Sequence, residues 1–132
     1  MQKEKYYKNL FFIGAIWNWI VAPTGFLAIN PMLRYLKMKP IQYPVAWQLF
    51  MALVFVYGIA YFYVYKDLVK NRNCAKLGVY SKTAVFVLLT YYWAIGDIHF
   101  VLIIPGIVDL IFAGFFVEFL IRYKPNSDVP HS

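Results

Sequence analysis

The chain has 132 residues, of which 62% are hydrophobic and 14% charged, and its formal charge is +7. A soluble domain carries about 25% charged residues to cover its surface, so a water-soluble version of this chain would expose apolar patches that soluble monomers avoid. Lipid as the solvent removes the conflict. The basic residues stand at the ends of apolar runs, where anionic headgroups would meet them. They are not mixed with aromatics along a groove, which argues against nucleic acid. Cys74 is the single cysteine and excludes an internal disulfide, and His99 and His131 are too far apart in sequence to suggest a metal site. No metal or cofactor is expected.

The first lysines followed by an apolar run resemble a signal peptide. That run is too long for one and no small-x-small site closes it, so it reads as a first span. No charge falls between Lys8 and Arg34 or between Lys39 and Lys66, and each gap is long enough to cross a hydrocarbon core of about 30 Å. In lipid every backbone polar group must be paired within its own segment, which makes these spans helices. The expected fold class is all-α, a four-transmembrane-helix bundle, with helices near 9–29, 45–65, 79–95 and 100–121 in a single membrane domain.

Between the first two helices, Asn30-Pro31 reads as an N-cap and first helical position. Met32, Leu33 and Leu36 alternate with Arg34, Lys37 and Lys39, as in a short interfacial helix. Asn71-Arg72-Asn73 is the expected turn before the third helix. That helix is short between Lys82 and Asp97, unless Lys82 snorkels to the headgroups. Gly96-Asp97-Ile98-His99 is then a tight outer turn; a hairpin that dips partway into the membrane is the competing reading. The tail 124–132 is polar and is expected to be disordered.

With four spans, the two termini and the 66–82 segment share one side. That side holds Lys3, Lys5, Lys8, Lys66, Lys70, Arg72, Lys76, Lys82, Arg122 and Lys124, against Arg34, Lys37 and Lys39 on the other. The excess predicts cytoplasmic termini in the cell inner (plasma) membrane.

Asp109 is the one ionisable residue inside an otherwise apolar run, and such groups face a protein interior or a cavity. Gly106, Asp109 and Ala113 share a face of the last helix, and Ala15, Asn18, Ala22 and Gly25 form a stripe on the first. These faces are expected to meet, with Asn18 near Asp109, because small residues let helices approach closely. Counting inward from the flanking charges brings Asn18, Tyr57, Tyr91 and Asp109 to similar depth, the expected polar layer. It is either a structural hydrogen-bond cluster or the lining of a small-molecule or proton site. Asp97 and His99 at the outer turn are one carboxylate–imidazole pair and fall short of a metal ligand set. The stripe Phe50, Val54, Tyr57, Tyr61 and Tyr65 reads as helix packing. Basic neighbours would lower the pKa of Cys74, but no histidine base is near it. Phosphate loops, nucleophile elbows and HExxH are absent from the sequence.

The stretch Asn71-Arg72-Asn73 … Leu77-Gly78 … Lys82, with Gly106-Ile107-Val108-Asp109 opening the last helix, resembles uncharacterised small four-helix bacterial membrane proteins that are loosely DoxX-like. The resemblance implies a four-helix bundle and brings no catalytic residues. The expected role is therefore non-enzymatic: a membrane subunit or homo-oligomer acting through partner proteins and surrounded by lipid. The alternatives are an intramembrane binder of a quinone or isoprenoid around Asp109, and a proton-coupled transporter.

Overall fold

The structure, a computed structural model, describes residues 2–123, so the tail 124–132 lies outside it. The fold is all-helical among these residues: α1 (Gln2–Tyr35), α2 (Pro44–Lys66), α3 (Arg72–Ala94) and α4 (Ile104–Arg122), with a 3-10 turn at Phe100–Ile103 leading into α4. Three stretches are long and apolar enough to cross a membrane: Lys3–Tyr35, Pro44–Lys66 and Phe100–Arg122. The chain is accordingly a membrane protein by length and composition.

α1 is longer than expected. It continues through Asn30 and Pro31 to Tyr35 instead of handing over to a separate interfacial helix. Asn30 does not cap a new helix; its Oδ1 accepts the Ile41 N–H at 3.2 Å. Pro23 and Pro31 each remove one main-chain donor inside α1, a loss that membrane helices absorb. The helix ends where Lys37 adopts a left-handed φ of 59°. Met38 N–H then donates to Leu33 O and Lys37 N–H to Arg34 O, the paired bonds of a Schellman cap. The same device ends α3, where Gly96 has φ 83°. There Asp97 N–H donates to Tyr92 O and Gly96 N–H to Trp93 O.

The turn between α2 and α3 falls earlier than Asn71-Arg72-Asn73. Asp67 Oδ1 accepts the N–H groups of Val69 and Lys70, and Asn71 Nδ2 donates back to Tyr63 O. The short polar side chain of Asp67 thus satisfies the turn locally, and α3 begins at Arg72 instead of near position 79.

The four helices form two antiparallel hairpins, α1–α2 and α3–α4, and each helix packs most extensively on its hairpin partner. One end of the bundle gathers the chain ends and the 67–71 turn; there Lys3 and Arg72 donate to the carbonyls that end α4. Cations at a helix C-terminus also complement its dipole. At this end the hairpins share a core of Tyr7, Phe11, Ala15, Tyr61, Val64, Leu68, Ala75, Phe116 and Phe119. Phe11 stacks on Phe116 with centroids 4.5 Å apart.

The other end is different. Beyond Lys82, no residue of α3 is buried. The ring pairs and side-chain hydrogen bonds that join the two hairpins all lie at or before the level of Asn18 and Asp109. Past that level Gly25 lies against Met51 and Trp47 of its own hairpin, and Gly106 against Leu89 and Phe86 of its own.

Candidate functional site

The level at which the hairpins stop sharing a core is marked by an ion pair. Lys82 does not snorkel. Its whole residue is 3% exposed, and its Nζ lies 2.7 Å from Asp109 Oδ1. The physical reason is that a buried ammonium is stabilised best by an opposite charge, and α4 brings a carboxylate to the same level of the bundle. Lys82 Nζ also donates to Asn18 Oδ1 at 3.3 Å, and Trp17 Nε1 donates to Asp109 Oδ1 at 3.2 Å. Asn18 Nδ2 donates in turn to Val54 O on α2 at 3.0 Å. The rings of Tyr61 and Phe112 each lie 5.3 Å from the ammonium, within cation–π range. One cation therefore connects all four helices.

Asn18 and Asp109 meet through Lys82, but the small faces pair otherwise than expected. The stripe on α1 serves α2: Asn18 bonds Val54, Gly25 meets Met51, and Gly58 receives Trp19. Gly106 serves α3. Short connections make hairpin neighbours the close pairs, so the small residues go where backbones must approach. α1 and α4 are bridged instead by long side chains, such as Phe116 against Gly14 and Trp17 onto Asp109. Trp17 and Trp19 point to different partners, α4 and α2 respectively.

Tyr57 is half-buried and packs beside the core, with its ring centroid 6.3 Å from that of Tyr61. Tyr91 is 57% exposed and stands outside the cluster. The expected depth of Tyr91 rests on Lys82 standing at the interface. Lys82 is itself in the layer, so Tyr91 lies about 13 Å farther along α3. At 100° per residue, nine residues also carry it to the opposite face. Asp97 and His99 sit on the outer connection, where His99 Nδ1 accepts the Val101 N–H and caps the 3-10 turn.

Lys82, Trp17 and Tyr61 are members of this cluster that the sequence reading did not include. One signal for the first exists: Lys82 is the one basic residue of the apolar stretch 79–95, and Asp109 is the one aspartate of the next helix. Cys74 is a free, partly buried thiol near the start of α3 and stands outside the cluster.

Two hollows are present away from the cluster. One of about 360 Å³ lies among Glu4, Lys5, Lys8, Asn9 and Tyr65 at the basic end. A smaller one of about 70 Å³ is lined by Asn30, Ile41, Trp47 and neighbours. Neither is lined by Asp109, whose side chain nevertheless remains 20% exposed while that of Lys82 is covered. No family model matches the chain, and neither a curated protein nor a solved structure matches it.

Proposed function

We propose that the chain is a four-span membrane protein that works by binding within the bilayer, as a small non-enzymatic subunit or an oligomer acting through partners. The observation that carries this is the contrast between its halves. The half with the chain ends is closed by a shared core and a charge pair that neutralises itself, whereas no residue of α3 beyond Lys82 is fully buried. Surfaces of that kind are available to another helix.

α3 counts as a span in this reading. Its 23 residues reach about 35 Å, enough for the hydrocarbon core, and its central charge is paired. The basic residues gathered at the chain ends favour cytoplasmic termini in the inner (plasma) membrane. The DoxX-like resemblance contributes only the expectation of a bundle. Affinity purification of the tagged full chain from membranes, with cross-linking before extraction, tests the proposal. A stoichiometric protein partner or a discrete oligomer is expected, and a monomer with no partner overturns it.

A second reading is favoured by one observation, the residual access to Asp109 beside a covered Lys82. In it the layer binds or carries a hydrophobic small molecule of the quinone or isoprenoid type. Mass spectrometry of molecules extracted with the native protein, compared with an Asp109 variant of intact fold, tests this reading. Identical extracts overturn it.

A further inference from the structure

Asp109 stands where α1 and α4 are held apart by long side chains. Both protein donors, Lys82 Nζ and Trp17 Nε1, converge on its Oδ1, and Oδ2 takes no hydrogen bond from the described residues. One-fifth of the side chain is open. A carboxylate oxygen facing hydrocarbon without a donor is costly, and lipid tails have none to give. The site therefore selects for a molecule that brings a donor to this depth.

Charge narrows the class. Lys82 and Asp109 already sum to zero, so a cationic head would leave a net charge in the core, and an anionic head would face the carboxylate. An oxidised quinone, ester or ether offers only acceptors to an acceptor. A hydroxyl is neutral and donates. The neighbouring surface suits an apolar body: Ile13 and Ile20 stand one turn before and after Trp17 on α1 and are 56% and 58% exposed, on the same helix face by their spacing.

We infer that the surface of α1 and α4 beside Asp109 binds a neutral, hydroxyl-bearing lipid-like molecule of the long-chain or polyprenyl alcohol class, whose hydroxyl donates to Asp109 while its chain lies along α1 and α4. This rests on the second reading above and names its ligand; it separates isoprenoid alcohols and quinols from oxidised quinones.

The test uses the full chain in phosphatidylcholine nanodiscs with a diazirine-bearing C15 polyprenyl alcohol and the methyl ether of the same probe, and cross-linked peptides are mapped. The alcohol is expected to label the segments around Trp17 and Asp109 about tenfold more than the ether, the scale of one hydrogen bond to a charged group. Excess unlabelled alcohol should compete and an oxidised quinone should not. The paired apolar variant Lys82→Met with Asp109→Leu should lose the preference. Should that variant fail to fold, the alcohol-to-ether ratio on the native chain decides alone. Equal labelling by both probes, or labelling spread evenly over lipid-facing positions, overturns the inference and leaves water or ordinary lipid as the occupant. A native molecule without a hydroxyl that co-purifies and is lost from Asp109 variants overturns the hydroxyl class while the binding reading stands.

Discussion

The Lys82 ammonium and the Asp109 carboxylate meet 2.7 Å apart across α3 and α4, at the depth where the two hairpins stop sharing a core. Removing one partner strands the other, and that loss far exceeds what the pair contributes against an apolar replacement. Lys82→Met or Asp109→Leu alone is expected to destabilise the bundle by about 3–5 kcal/mol. The double substitution should recover most of that loss. Unfolding of the four proteins in mixed micelles forms a double-mutant cycle, and additive losses would mean that the two groups do not interact.

Close approach at Gly78 makes a second prediction. A Cβ there would stand 2.6 Å from Tyr61 Cε1 and 3.2 Å from Phe116 Cε2, and both rings are fully buried. Gly78→Ala should cost about 1–3 kcal/mol through overpacking, and Gly78→Leu more. Gly114, with open space around its Cβ position, is the control. Thermal unfolding of Gly114→Ala should stay near that of the native chain.

The two Schellman caps differ in one residue type. Gly96 takes its left-handed conformation freely, whereas Lys37 does so with a side chain and pays the steric cost of that region. Lys37→Gly is expected to raise stability by up to about 1 kcal/mol at this cap, and Gly96→Val to lower it by a similar amount or more. Circular dichroism melts of both variants check the signs.

Cys74 supplies an accessibility prediction. Its thiol is partly buried, so alkylation by a maleimide should be slower in the native protein than in the denatured chain. Equal rates in the two states would contradict the burial.

How much was legible follows from what each signal measures. The uncharged runs coincide with α1, α2 and α4, the three stretches long and apolar enough to cross a membrane, because hydropathy reports such stretches directly, although not where each helix ends. Hydropathy is weaker at α3, because Lys82 reads as an interfacial charge near a helix start, whereas it stands in the middle of Arg72–Ala94; a charge reads as a boundary until its partner is known. The small-residue stripes marked the correct faces of α1 and α4, yet a stripe does not say which helix it meets. Asn18 and Asp109 were found because polar groups in apolar runs are rare. Trp17 and Tyr61 were not, because aromatic residues are abundant here and only three-dimensional packing selects the two that touch the charges.

The pairing also constrains how the chain is made. On the four-span reading, α3 leaves the ribosome carrying a lysine in its middle, and its counter-charge follows 27 residues later. Until α4 arrives, α3 is a poor candidate for stable insertion, more polar than its three companions and without a mate for its charge. Membrane integration of the second hairpin then becomes a joint event of α3 and α4, while the first hairpin is free to settle beforehand. A nascent chain halted before Asp109 would hold α3 at the mouth of the translocation channel.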